Sequence, residues 1–200
     1  MNTICILTIL CFKLIPVEYH SYYKLYQHFI LSDSIIWWEA GWCDLNPEHP
    51  KPYVIFCSDT SKSIQLPKLT DRNTFSSNYY HSFLIREFVF YVTNSGRTKF
   101  IKKVENLPSF IGAVDNLEEA LFLANIYGYG SLTGKKYGSY KFENGSYILN
   151  LYKIVDPPDV IMAGQKPLKA KIKVSTNGDV FEIIGSETRR LSVIDMYRSL

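Results

Sequence analysis

Between Phe83 and Ile184 the chain repeats one pattern: a short run of β-branched and aromatic residues, a turn signal, and a second such run. "FLIREFVFYVT" is followed by "NSG" and then "RTKFIKKV", which predicts a hairpin. "YGSYKFENGSYILNLYKIV" carries Asn144-Gly145 between two β-prone runs, and "LKAKIKVSTNGDVFEII" carries Asn177-Gly178 in the same place. Asn-Gly is the strongest short-range hairpin signal because both turn residues tolerate positive φ. In the last of these hairpins Lys169, Lys171 and Lys173 alternate with Ala170, Ile172 and Val174, the pattern of a half-buried strand with one wet face. "DPPDVIMAGQKP" connects the two hairpins, and the final "SETRRLSVIDMYRSL" is expected as a short helix or a tail.

The helical period appears in two places. "NLEEALFLANIYGYG" puts Leu117, Ala120, Leu121 and Ala124 on one face, with Asp115 as expected N-cap, Glu118 reaching back in a box-like arrangement, and Gly128 ending the helix. A short helix over "NLPSFIG" precedes it and closes at Gly112. Earlier, Tyr22, Tyr23, Tyr26, Phe29 and Ile30 predict an amphipathic helix from about 19 to 31. "SIIWWEAGWCDLNPEHPKP" reads as a short element running into a loop, "YVIFCS" (53–58) as a strand, and 59–80 as a mobile polar loop. The expected fold is α+β: an antiparallel sheet of successive β-hairpins packed on one main helix (about 115–127), with a mixed N-terminal part. Three stretches are expected: a leader over 1–15, a segment of helix, aromatic run and loop over 16–80, and a hairpin domain over 81–200 that forms one unit with it.

Composition sharpens this picture in two respects. Of the 200 residues, 46% are hydrophobic and 20% charged, which is a folded chain, and 15 Tyr with 12 Phe favour sheet. The net charge of +3 is small, and the positive residues are read as lacking the clustering on one face that phosphate-backbone binding needs, which argues against nucleic acid as a partner.

The N-terminus and the cysteines bear on location. An apolar run from Ile4 to Phe12 precedes Lys13 and Pro16. It is shorter than the about 20 residues a membrane-spanning helix needs, but its length suits a secretory signal. Against that, no Lys or Arg precedes it, no small-x-small site follows, and Leu10 stands where a lipoprotein leader has a small residue before Cys11. The expectation is an exported or envelope-associated protein, with membrane attachment through the N-terminus as one form. The alternative is a cytoplasmic protein with residues 1–14 inside its core. With Cys5 and Cys11 in the leader, Cys43 and Cys57 are left as a candidate disulfide, worth about 3 kcal/mol for a loop of about 15 residues.

Chemical motifs are sparse. In "IYGYGSLTGKKYG" a phosphate-binding loop fails on spacing, because Gly134-Lys135 is followed by Lys136 and the position five before Gly134 is Tyr129. The loop also leaves a helix C-terminus, where the dipole disfavours anions. His20, His28, His49 and His81 show no zinc-protease spacing, and a zinc-type set of Cys43, His49 and Cys57 is irregular. A Cys43–His49 pair with Asp44 or Glu48 has the residue types of a thiol enzyme without evidence of geometry. Trp37, Trp38 and Trp42 form a candidate interaction surface, weighed against burial in the core. Asn144-Gly145-Ser146 matches a glycosylation acceptor, but the turn accounts for it.

The order "VTNSGRTKFIKKVENLPSFIGAVDNLEEALFLANIYGYG", then a Tyr-rich hairpin, then a Lys-rich hairpin, resembles small exported or lipoprotein-type bacterial α+β proteins over residues 83–185. The resemblance brings no catalytic motif and implies an envelope or secreted location. The expected function is therefore non-catalytic binding of a protein or glycan partner, with no cofactor, no metal, no catalytic residues and no nucleic acid. An intracellular accessory, immunity or regulatory interaction protein is the alternative. A cysteine-dependent enzyme using Cys43 and His49 is the second.

Overall fold

The computed structural model of the chain describes residues 12–20, 22–44, 51–61, 69, 74–75, 85–130, 138–153 and 168–192. They form an α+β fold of two antiparallel sheets with helices between them, where the sequence pattern predicted one sheet. The small sheet has the order β3 (Lys51–Cys57), β2 (Ile35–Asp44), β4 (Ile85–Thr93) and β5 (Thr98–Phe100). Because β2 pairs with β4, the segments expected as 16–80 and 81–200 share a sheet. The large sheet runs β1 (Lys13–Leu14), β7 (Ser139–Glu143), β8 (Ser146–Lys153), β9 (Leu168–Ser175), β10 (Val180–Ile184) and β11 (Glu187–Arg190). A further short strand, β6 (Tyr129–Gly130), continues the β7 position along β8.

Between the sheets lie α1 (Tyr22–Leu25), α2 (Leu107–Ile111) and α3 (Leu117–Ile126). Every residue of α3 is buried, so the helix has no solvent face. Its Phe122 meets Tyr26 and Phe29, and these two rings also touch Trp38 of β2. Its other side rests on β8 and β9, where Leu149, Leu151, Ile172 and Val174 complete the same core. The helix predicted over 19–31 is broken in the structure: a 3-10 turn at Val17–His20, the single turn of α1, and a second 3-10 turn at Tyr26–His28. Leu25 and Tyr26 are buried, while Ile30 stays exposed.

The two Asn-Gly turns form as predicted, with positive φ at Asn144, Gly145 and Gly178. The tail is different. Gly185 opens a further turn at φ 63°, and Glu187–Arg190 pairs with β10 as a strand. Residues 193–200 lie outside the described residues, as do 1–11, 45–50 and most of 59–80. Within that predicted loop Phe75 is buried and bridges to Glu87 of β4.

The start of the chain also departs from expectation. Lys13 and Leu14 pair with Tyr140 and Ser139. Ile15 follows into the core at 6% exposure, with its amide donating to the Gly138 carbonyl at 3.1 Å. Gly138 has φ +106°, and a Cβ there would stand 2.6 Å from Ile15 Cδ1, so glycine is required beside Ile15. Residues 13–15 of the expected leader therefore serve the fold.

Candidate functional site

The large sheet has one dry face and one wet face, set by register. Leu149, Leu151, Ile172 and Val174 point at the helices. Their neighbours in sequence point away: Ile148 opposite Lys173, Asn150 opposite Lys171, and Tyr152 opposite Lys169. On the far side of β8, Lys141 of β7 faces Ile148 and Ser139 faces Asn150. On the far side of β9, Phe181 of β10 faces Lys173 and Ile183 faces Lys171. Four lysines thus converge on one face. The reading that the cations lack clustering is corrected, because the cluster is made by pairing separate hairpins.

The face is concave. A groove of about 480 Å³ crosses it, lined among others by Ser139, Asn150, Tyr152, Lys169, Lys171 and Ile183. The Asn150 amide donates to Ser139 Oγ at 2.8 Å, which fixes the polar floor. Phe12 lies where Lys141 Nζ is 5.3 Å and Lys171 Nζ 6.0 Å from its ring centre, and Lys173 Nζ is 5.9 Å from that of Phe181. These are cation–π distances. Lys141 also pairs with Glu143, and Arg190 with Asp179. Among the described residues none of Lys169, Lys171 and Lys173 pairs with a carboxylate.

A second group of polar side chains gathers where α3 begins. The helix is capped by Asn116, whose Oδ1 accepts the Glu119 amide at 2.8 Å, one position later than the expected Asp115 cap. Glu119, not Glu118, reaches back: its two oxygens accept the amides of Asp115 and Ile30, each at 2.8 Å. Its burial at 0% exposure pushes the carboxyl up from its ordinary range, and the amide hydrogen bonds oppose that shift. Glu118 instead faces His28, with Nδ1 to Oε1 at 3.5 Å, and accepts from Tyr19. That bond, followed by burial and the Glu118 charge, raises the Tyr19 hydroxyl to about 12. Asn116 Nδ2 donates to the His28 carbonyl at 3.0 Å. The arrangement fastens the 19–30 segment to the helix start. A phenol held protonated lacks the character of a nucleophile.

The residues singled out in the sequence lie elsewhere. Cys43 faces Pro52 across the β2–β3 ladder, and Cys57 faces Glu39. Five positions of β3 separate those rungs, about 16 Å at 3.3 Å per residue, whereas a disulfide needs Cα atoms within about 7 Å. The predicted disulfide is not formed. The same distance divides the zinc-type set, whose third member His49 lies outside the described residues, and no metal-binding group occurs among those described. Cys43 is buried at 2% exposure, and Glu48 falls outside the described residues. Cys57 sits by the Asp59 carbonyl at 3.5 Å, with its thiol pushed up by burial. Beside it, burial also raises Glu39, opposed by a hydrogen bond from Cys57.

Two of the three tryptophans are buried rather than on the surface. Trp37 is 1% and Trp38 5% exposed. As neighbours on a strand they point to opposite faces, so both faces of the small sheet are covered. Trp38 belongs to the main core, while Trp37 joins Phe88 and Phe90 in a second one and donates from Nε1 to the Asp59 carbonyl at 3.1 Å. Trp42 is half-buried and stacks on Tyr53 at 4.0 Å.

Sequence reasoning found the lysine alternation on β9 and missed its company. Lys141, Phe12, Tyr152 and Phe181 belong to four other segments, and only the registers of β7, β8, β9 and β10 bring them alongside. No helix among the described residues is long and apolar enough to cross a membrane. No protein-family model, curated protein or solved structure matches the chain.

Proposed function

We propose that this chain is a non-catalytic binding protein and that its contact surface is the outer face of the large sheet, which receives an extended anionic ligand. The observation that carries the reading is the convergence of Lys141, Lys169, Lys171 and Lys173 on one face of the sheet, where Lys169 and Lys171 line a polar-floored groove. A cluster of one sign in a cleft raises the local concentration of oppositely charged ligands, whatever the net charge of the whole chain. Cys43 is buried and its suggested partner His49 lies outside the described residues, so the enzyme alternative gains no support. Chromatography on immobilised heparin tests the proposal: the native chain elutes at higher salt than Lys169→Ser/Lys171→Ser, and equal elution of the two overturns it.

A second observation concerns the setting. Strand pairing at Lys13 and Leu14 and the burial of Ile15 support the accessory-protein reading, in which these residues belong to the domain, over a leader reaching residue 15. The N-terminal residue of the mature protein from its native source tests this. A mature chain starting after Ile15 refutes it.

A further inference from the structure

We infer that the occupant of the lysine-lined face is single-stranded nucleic acid, a conclusion that rests on the binding reading above and adds the ligand's chemical class. Proteins that hold single strands combine a cationic groove tracking the phosphates with rings on which bases stack. Both parts occur here on one surface. Lys169, Lys171 and Lys173 stand at alternate positions of β9, so their Cα atoms repeat at about 6.6 Å. That is roughly twice the 3.4 Å rise of a stacked strand in a duplex, a separation that an extended strand with unstacked bases reaches. Phe12, Tyr152 and Phe181 flank this lysine row.

The rings and ammonium groups are already in register with each other. Lys171 and Lys141 hover near the ring of Phe12, and Lys173 near Phe181. A base that stacks on either ring takes the place of an ammonium, which then has a phosphate within reach. The cation–π contacts thus hold the lysines at the rings until a nucleotide supplies both partners. Lysine is a point charge with flexible reach, which suits it to tracking a phosphate backbone.

The rings argue against the other anionic partners. A duplex hides its base faces, so the rings would have no role in holding it. A sulfated glycan satisfies the lysines, and the part played by the rings separates it from a single strand.

The test is fluorescence anisotropy of the full chain with a labelled oligothymidylate of roughly 20 nucleotides, long enough for more than one site of this kind. A matching duplex, heparin and anionic phosphatidylglycerol vesicles serve as competitors. The single strand is expected to bind best, with log K falling against log salt at a slope of about −2.1 for the three lysines without a carboxylate partner, and about −0.7 after Lys169→Ser/Lys171→Ser. Phe181→Ala and Phe12→Ala are each expected to weaken binding about tenfold and leave that slope unchanged. Phe12→Ala carries this arm if Phe181→Ala disturbs β10, since Phe12 is exposed at the sheet edge. Equal or stronger competition by duplex, heparin or vesicles, or ring substitutions without effect, overturns the nucleic-acid assignment and leaves the anionic-ligand reading standing. Absence of binding to every polyanion overturns both.

Discussion

The two sheets of this molecule are both antiparallel and built from β-prone strands, and they end with opposite surfaces. In the large sheet β9 alternates strictly, so Ile172 and Val174 enter the core while Lys171 and Lys173 leave it. In the small sheet Trp37 and Trp38 of β2, and Phe88, Val89 and Phe90 of β4, are large and apolar at consecutive positions, and all are buried. One face of the small sheet packs on the helices and the other closes over a second cluster with Cys57, Leu69 and Phe100. Aromatic content therefore does not mark the contact surface. Trp37 and Trp38 are interior, and the face proposed for a ligand is the one carrying lysine.

If this contrast holds, single substitutions in the two sheets separate stability from binding. The largest effect is expected for Trp37→Ala, which empties the second cluster and should cost about 3–5 kcal/mol. Lys171→Ala on the opposite sheet should stay within about 0.5 kcal/mol, since its side chain stands on an exposed face. Guanidinium denaturation of both variants measures the difference. Comparable losses would mean that the lysine face is also structural and would break the contrast.

The next effect concerns the edge of the large sheet. Ile15→Ala should cost about 2 kcal/mol, because the side chain is buried at the core margin against Gly138. The same measurement reads it. A cost near zero would return residues 13–15 to the status of a leader.

Legibility in the sequence follows the same division. The hairpins at Asn144-Gly145 and Asn177-Gly178 were legible because turn chemistry and strict alternation agree. Strand β2 was not, because a strand buried on both faces loses its period of two and reads like any apolar run. Gly41 sits at an irregularity of that strand, where a Cβ would stand 2.1 Å from the Tyr53 carbonyl, and nothing local announces such a contact. The cap of α3 was misplaced by one residue for a different reason. Asp115-Asn116 and Glu118-Glu119 offer two equivalent boxes, and the choice is settled by the distant Ile30 amide. The candidate site was half legible: the β9 lysines were visible, and their partners on β7, β8 and β10 came with the fold.

A smaller effect is expected in the layer between the sheets. Asn116→Ala removes the cap of α3 and the tie to the His28 carbonyl, and should cost about 1 kcal/mol. Asn116→Asp should retain the cap and recover most of that loss, as urea midpoints would record. No difference between the two variants would mean that the helix start is held by Glu119 alone.

The smallest effect depends on pH and tests whether this layer is pinned to the helix start independently of either sheet. Tyr19 ionises at about 12 in the folded chain, against an ordinary 10, chiefly because its hydroxyl donates to Glu118. The folded state thus holds the proton more tightly than the unfolded state. The stabilisation from this group is complete below pH 10 and is lost as the pH rises through about 12. Burial shifts Tyr91, Tyr127 and Tyr147 in the same direction, so the whole chain should weaken over that window. Tyr19→Phe isolates one contribution: its denaturation midpoint should lie below that of the native chain at pH 9 and approach it at pH 11.5. A gap that keeps the same width at both pH values would show that the hydroxyl contributes nothing beyond its ring, and that the Tyr19–Glu118 bond does not hold the 19–30 segment in place.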